Sequence, residues 1–410
     1  MSAERAIGYG RNFRLYAVGQ TVSIVGDRVA LIALVFLVIH LSRSWAPALA
    51  LFYVCRALPP LVAGLASGVI ADHFNRQRLM VACDLGRAAL LFVVPTLSAF
   101  RLWTLYPMVV ALYALTTLFN TAARSALPDV VPEEKMMGAN AVLSNIGAAA
   151  DIAYAVGGGL VFLLSLRTPY YIDAASFVFS ALMISAMRLP EIELKPMPRF
   201  GDLPSRLRVG LDFLLRNRYL RWSTLSTVVA PLGGGAAFVL SPLYASRVLG
   251  ASPGLFGPLH SGAFRFSTLE VGLGAGALLG GVAASRLADR WPRGTIFAVG
   301  LAASGIADAM LGLTDNVYIA FILMTVSGAC FGVFAIAATT MMQVLTPTEI
   351  RGTVFATWTT AVSTALAVGS ALGGLVLVLV SYQLLWFVEG GVIAAASLFV
   401  WLRPDVRRQR

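Results

Sequence analysis

The sequence contains little charge and few of the residues that form disulfides or hold metals. Only 12% of its 410 residues are charged, against roughly 25% in a typical soluble domain, and 58% are hydrophobic. Cys55, Cys83 and Cys330 are widely spaced, as are the three histidines. This scatter argues against a disulfide framework and against a thiolate or imidazole metal site. We therefore expect neither a metal nor a cofactor.

The sequence also lacks the patterns of several enzyme and binding classes. No Gly-x-x-x-x-Gly-Lys-(Ser/Thr) loop for a nucleotide occurs, and no serine elbow follows a recognisable strand. The net charge of +11 is spread through an apolar chain rather than gathered in a soluble basic domain, so it does not indicate nucleic-acid binding. The polar start, "MSAERAIGYGRNFR", does not resemble a signal peptide. We expect neither an enzyme nor an ATP-driven pump.

Long apolar runs dominate what is present. Each is long enough to cross a hydrocarbon layer about 30 Å thick, and it must do so as a helix, which satisfies its own backbone hydrogen bonds. The pattern predicts an all-α membrane protein with twelve transmembrane helices at about 14–40, 45–71, 79–99, 103–123, 139–165, 169–188, 221–246, 267–288, 294–313, 317–343, 353–380 and 384–402.

The basic residues predict the orientation of these spans. Most of the 31 Lys and Arg residues fall in the loops of one side, and the positive-inside rule makes that side cytoplasmic, with both termini. The longest polar segment, 189–220, has leucines at helical spacing and arginines elsewhere around it. It predicts an interfacial amphipathic helix; the leucines are Leu203, Leu207, Leu211, Leu214 and Leu215.

Three landmarks recur at nearly one offset. "ADHFNR" and "ADRWPR" place two aspartates 217 residues apart, "VVPEEK" and "LTPTEIR" place two prolines 215 apart, and "AVGGGLV" and "ALGGLVL" place two glycines 216 apart. The pattern predicts a six-helix half at 1–188, a linker at 189–220 and a second six-helix half at 221–410. Because six is even, the halves are expected to be parallel repeats, as in many secondary transporters.

Several stretches carry a family resemblance: "FRLYAVGQTVSIVGDRV", "RALPPLVAGLASGVIADHFNRQRL", "ARSALPDVVPEEKMMGANAVLS", "YYIDAASFVFSAL" and "EIRGTVFATWTTAVSTALAVGSALGGLV". The chain resembles a major facilitator superfamily transporter, and within it the branch of bacterial macrolide and multidrug efflux proteins and the enterobactin exporter. The resemblance implies the major facilitator fold, the bacterial inner membrane and a small-molecule cargo.

The charged loop "GVIADHFNRQRLM" is similar to the signature of this superfamily, with His73 and Asn75 as departures. The resemblance implies a cytoplasmic gate, in which the glycine permits close helix packing, the aspartate faces a helix N-terminus, and the arginines hold that acid or reach lipid phosphates. The alternative is a solvated turn. A matching loop in the second half favours the gate, whose residues are Gly68, Asp72, Arg76, Arg78, Asp289 and Arg293.

Polar residues form stripes on three of the predicted spans. In the resembled family these spans, the first, fourth and fifth, line a central hydrated cavity. The stripes are therefore expected to line that cavity, and the expected cavity or substrate residues are Gln20, Ser23, Tyr113, Asn120 and Tyr154.

Charged residues within spans are expensive and indicate function. We expect Asp27, Arg56 and Asp151 to couple transport to protons, with Arg56 as the partner of Asp27. The alternatives are a structural ion pair for Asp27 and Arg56, and a hydrated but inert Asp151.

Other intramembrane acids are expected to be structural. Asp173 is expected to cap a helix, Glu270 to lie near the external face, and Asp308 and Glu389 to form structural pairs. In "AYAVGG", Tyr154 replaces the proline that bends this span in many antiporters, which weakens the expectation of strict antiport.

Together these features predict a secondary active exporter of an amphipathic small molecule (a drug, macrolide or siderophore-like compound) that exchanges it for protons by alternating access. Its expected partners are the substrate, protons and membrane lipids, and it is expected to be a monomer. The alternative is a lysolipid or lipid flippase, or an uncoupled facilitator, of the same fold.

Overall fold

The structure is a computed structural model. It describes residues 10–42, 45–73, 75–93, 102–132, 139, 142–143, 146–147, 149–150, 153–163, 165, 167–188, 203–249, 261–288, 290–347 and 350–408. Over these ranges the regular structure is helical, without a strand. The all-α prediction is confirmed.

Fourteen helices follow one another along the described ranges, and we number them in chain order. They are α1 (Arg11–Leu41), α2 (Trp45–His73), α3 (Arg76–Val93), α4 (Leu102–Val130), α5 (Ala153–Leu163), α6 (Thr168–Ser185), α7 (Leu203–Arg216), α8 (Leu220–Arg247), α9 (Gly262–Ala288), α10 (Arg293–Leu311), α11 (Val317–Leu345), α12 (Arg351–Val376), α13 (Tyr382–Trp401) and α14 (Pro404–Arg407).

Eight helices among the described residues are long and apolar enough to cross a membrane: α1, α4, α8, α9, α10, α11, α12 and α13. With 31 residues and a rise of about 1.5 Å per residue, α1 is longer than the hydrocarbon layer, which is about 30 Å thick. The chain is therefore a multi-pass membrane protein.

Helix starts follow local side-chain chemistry. Asn316 caps α11 by accepting hydrogen bonds from the backbone N–H groups of Tyr318 and Ile319, and Ser381 caps α13 by accepting from Leu384. Such caps satisfy N–H groups that have no partner inside the helix. These caps thus define the residues at which the apolar helices α11 and α13 begin.

The chain divides into two units. The first comprises residues 1–41 and 58–200, and the second comprises residues 42–57 and 201–410. In the first unit, α6 packs against α1 and α3, and α3 also packs against α4. A core of buried residues there includes Phe13, Met80 and Phe119.

The second unit is built on close helix packing at glycines. A Cβ atom at Gly276 or Gly280 of α9 would collide with backbone oxygens of α11, and one at Gly328 of α11 would collide with the backbone of α9. Small residues four apart let helix backbones approach each other in this way. Similar contacts join α10 to α13 and α8 to α12.

The linker helix differs in part from its prediction as an interfacial helix. An amphipathic helix does form, α7, but it packs on α12: Gly210 lies against Thr357, and Leu214 is 1% exposed beside Val354 and Met342. Leu211 stays exposed. The apolar face is therefore covered in part by protein, because a neighbouring helix supplies the surface that lipid was expected to supply.

Beyond α7, a surface ion pair ties the chain after the linker to the C-terminal segment. Arg218 donates hydrogen bonds to Asp405 Oδ2 from Nη2 (2.6 Å) and Nε (3.2 Å). These bonds lower the pKa of the Asp405 carboxyl and raise the pKa of Arg218. Because both side chains are solvent-exposed, the pair contributes little stability.

Candidate functional site

A buried cluster of charged residues lies inside the first unit. Arg87 forms an ion pair with Asp84, three residues earlier on α3, and both side chains are at most 3% exposed. The Arg87 guanidinium also lies between two aromatic rings, 4.0 Å from the centroid of Phe177 and 4.6 Å from that of Phe119. Cation–π contacts of this kind stabilise a desolvated guanidinium.

Asp173 of α6 belongs to the same cluster. Its carboxylate accepts a hydrogen bond of 3.0 Å from Ser176 Oγ and is 1% exposed. It interacts electrostatically with Asp27, Arg87 and Asp84. Gly26 of α1 makes room for it, since a Cβ atom there would collide with Asp173 Oδ1.

The prediction that Asp173 caps a helix is wrong. Its helix begins at Thr168, and Arg167, at the cap position, makes no side-chain capping bond. Asp173 instead lies within the helix, on the face toward α1, because the missing side chain of Gly26 leaves a space there.

The structure describes two of the three residues that are predicted to couple transport to protons. Asp27 is half-buried on α1 and interacts electrostatically with Asp84 and Asp173. Arg56 lies in the part of α2 that belongs to the second unit, and its pairing with Asp27 stays a prediction. Asp151 lies outside the described residues.

The predicted cavity residues are mostly enclosed in protein. On α1, Gln20 and Ser23 are 8% and 2% exposed, and Gln20 Nε2 has no hydrogen-bond partner among the described residues. Tyr154 is buried, with the Arg28 guanidinium 5.4 Å from its ring centroid. Contact of these residues with a substrate stays a prediction.

Two further predicted cavity residues lie on α4, where Tyr113 is half-buried and Asn120 is exposed. Gly157, which follows Tyr154 on α5, packs closely on α1, since a Cβ atom there would lie 2.9 Å from the backbone oxygen of Val29.

The first turn of α3, with Asn75 before it, makes contacts that the sequence pattern did not predict. Arg76 Nη1 donates to Asp129 Oδ2 at 2.7 Å and to the Ser125 carbonyl at 2.8 Å, so its acidic partner is Asp129 at the end of α4. Asn75 accepts a hydrogen bond from the backbone N–H of Arg78, whose side chain is exposed. Asn75 thus caps α3.

Gln77 strengthens this attachment. Its Nε2 donates to the carbonyl groups of Ile184 (2.8 Å) and Met187 (2.9 Å) at the end of α6. Arg76 and Gln77 therefore fix the start of α3 to the ends of α4 and α6.

The remaining gate residues are only partly described. Gly68 and Asp72 lie on the helical backbone of α2, but their side chains are outside the described part of the structure, and Asp289 lies outside the described residues. Arg293 begins α10. Their gating role stays a prediction.

A second group of acids lines a cavity of about 420 Å³ inside the second unit. Glu270, Asp308 and Glu389 all contribute to its wall. The expected position of Glu270 near the external face stays a prediction. The structural pairing expected for Asp308 is found with Ser327, which hydrogen-bonds to it, whereas the Glu389 carboxyl has no hydrogen-bond partner among the described residues.

Asp84 and Arg87 are the site residues that sequence reasoning missed. The available signal was a pair of opposite charges three residues apart in the apolar run "LMVACDLGRAALLFVV", a spacing that lets side chains meet on a helix. Neither site offers a metal centre, since the described residues contain no group of three or more His, Cys, Asp or Glu positioned to hold a metal ion.

Comparisons with known proteins agree with this architecture. The model of the transmembrane secretion effector family matches residues 10–407. The chain is 27% identical over 412 residues to the MFS-type transporter YfiS of Bacillus subtilis (strain 168), covering 95% of this chain and 93% of that protein. It is 27% identical over 321 residues to the enterobactin exporter EntS of Escherichia coli O81 (strain ED1a), covering 76% of this chain and 72% of that one.

A solved structure extends the comparison to the fold. The nucleoside transporter NupG superposes with a TM-score of 0.74 at 13% identity, covering 95% of this chain and 98% of the other. Family and fold are those of transporters. The chain belongs to the transmembrane secretion effector family of the major facilitator superfamily.

Proposed function

We propose that this protein is a secondary active exporter, which moves an amphipathic small molecule out of a bacterial cell in exchange for protons. In this proposal it has twelve spans in two parallel six-helix repeats, lies in the inner membrane with both termini in the cytoplasm, and works as a monomer. The membership of an exporter-containing family supports export, and the buried charges support coupling.

The observation that carries the proposal is the cluster of Asp27, Asp84, Arg87 and Asp173. Three acids on three helices interact around one guanidinium. An ionised side chain at the membrane centre costs about 2.5–3.5 kcal/mol, so such groups are kept for function or are paired. Binding of a proton to one of these acids removes a negative charge from the cluster.

Local geometry supports rearrangement of this cluster. Asp84 uses Oδ1 for Arg87, while its Oδ2, and Nε2 of Gln20 on α1, have no hydrogen-bond partner among the described residues. Unsatisfied buried groups are costly and favour a second arrangement that satisfies them. Protonation of an acid changes which arrangement is stable, and this is how proton binding would drive the exchange of states.

Efflux from intact cells tests the proposal. Cells expressing the protein are loaded with the amphipathic dye Hoechst 33342, and its export is followed with and without a protonophore. We expect gradient-dependent efflux that is abolished by Asp84→Asn or Asp173→Asn. Asp212→Asn, which removes an exposed acid on α7, is the matched control and should export normally.

The alternative is an uncoupled facilitator or a flippase for lipid or lysolipid. Export that persists after the proton gradient collapses, and that is unaffected by Asp84→Asn, would favour the alternative and contradict proton exchange. Protein levels measured in the same membranes separate loss of transport from loss of expression.

A further inference from the structure

The cavity of the second unit has the size and wall of a small-molecule site. Its volume of about 420 Å³ lies within the range of about 300–1,000 Å³ typical of ligand pockets. Residues of α8 to α13 enclose it, and most of its lining is apolar. The aromatic residues in the wall are Phe238, Phe331, Phe334, Trp358 and Trp386.

The charge of this wall has one sign. Glu270, Asp308 and Glu389 line the cavity, and no Lys, Arg or His is found among its described lining residues. An anion entering this space would meet carboxylates and no compensating base. A cation would meet both carboxylates and aromatic faces, which attract positive charge.

Glu389 is the acid that lacks a partner. Its side chain is 2% exposed, and neither Oε1 nor Oε2 accepts a hydrogen bond from any described residue. Asp308, in contrast, accepts a hydrogen bond from Ser327. One turn before Glu389, the buried Nε1 of Trp386 also has no partner among the described residues. A buried acceptor without a donor is costly, and a ligand bound in the cavity would supply the missing partner.

Glycine contacts hold Glu389 at this position. A Cβ atom at Gly390 would collide with the backbone oxygen of Gly305 and with the backbone of Ala309 on α10, and one at Gly233 of α8 would lie 2.7 Å from the backbone oxygen of Glu389. These close approaches leave the Glu389 side chain fixed between helices rather than free to reach the surface.

We propose that this cavity binds a lipophilic organic cation of single charge, neutralised by Glu389, with the body of the ligand against the aromatic wall. The inference rests on the proposed function, since it names the substrate class of the exporter. A metal ion is disfavoured because the three acids do not converge: none of the described residues form a metal-holding group of three.

Equilibrium binding to the purified full chain tests this site without transport. Tetraphenylphosphonium is the probe, and tetraphenylborate, which has the same shape and the opposite charge, is the comparison ligand. We expect saturable binding of the cation and none of the anion. Glu389→Gln should weaken cation binding by about tenfold or more, because a desolvated cation loses its counter-charge. Asp212→Asn is the control and should bind normally.

Equal affinity of Glu389→Gln and the unmodified protein, or equal binding of the two probes, would overturn the proposal. A second measurement applies if the variant fails to fold. N,N′-dicyclohexylcarbodiimide should label Glu389 in the unmodified protein, and tetraphenylphosphonium should protect it, as read by peptide mass spectrometry. Absence of labelling, or labelling that the probe does not reduce, contradicts the site. If the protein exports the dye in a proton-dependent manner but does not bind tetraphenylphosphonium, the cation site is refuted and the proposed export function stands.

Discussion

At the residue scale, the first unit shows how a full charge is accommodated within a membrane protein. The Arg87 guanidinium is paired with the Asp84 carboxylate and lies over the rings of Phe119 and Phe177, so it is both paired and packed. Removal of one partner from such a pair leaves an uncompensated buried charge, whereas removal of both does not.

This difference gives a test of the pair. Arg87→Gln should lower the free energy of unfolding by about 3–5 kcal/mol, because Asp84 is left buried and unpaired. Asp84→Asn combined with Arg87→Gln should recover much of that loss. Thermal or denaturant unfolding in detergent micelles measures both. Arg216→Gln removes an exposed charge and should change stability little; an Arg87→Gln effect no larger than this one would contradict the ion pair's role.

At the element scale, glycines determine which helices touch. Small residues recur four apart in α9 and α11, as at Gly276 and Gly280 and at Gly328 and Gly332. In the structure these positions bring backbones into contact, and comparable contacts between α10 and α13 position Glu389 beside the cavity. The close approach therefore supports both stability and the candidate site.

Two adjacent glycines of α13 offer a matched comparison. A Cβ atom at Gly390 would overlap the backbone of α10, while one at Gly391 would meet nothing within 4 Å. We expect Gly390→Ala to destabilise the protein by about 1–3 kcal/mol through overpacking, and Gly391→Ala to have little effect. The melting temperatures of the two purified variants test this expectation, and Gly390→Ala should melt at the lower temperature. Similar values would show that the α10–α13 contact is not tight.

At the scale of the whole molecule, the uneven distribution of basic residues predicts the orientation. The positive-inside rule predicts the direction of insertion from the Lys and Arg residues in short loops. An even number of spans, as in the proposed topology, places both termini on the same side. We expect a C-terminal green fluorescent protein fusion to fluoresce and a C-terminal alkaline phosphatase fusion to be inactive. An active phosphatase fusion would contradict the cytoplasmic placement of the C-terminus.

The sequence alone determined that this is a helical membrane protein of a transporter family. Hydropathy and helix length are local properties, and a lipid environment allows few ways to satisfy a backbone. The charged loop before α3 could be selected by its resemblance to the superfamily signature, the linker helix by the spacing of its leucines, and Asp27 as a charge within an apolar span. Even so, the linker helix packs against protein where lipid was expected, because a periodic pattern shows which face is apolar but not what covers it.

Only the tertiary structure decided which charges meet. Asp84, Arg87 and Asp173 come together because α3 and α6 pack side by side and Gly26 leaves space between α1 and α6. Glu270, Asp308 and Glu389 come from three different helices, α9, α10 and α13, and share one cavity. Such convergence depends on contacts between residues distant in sequence, which no local pattern encodes.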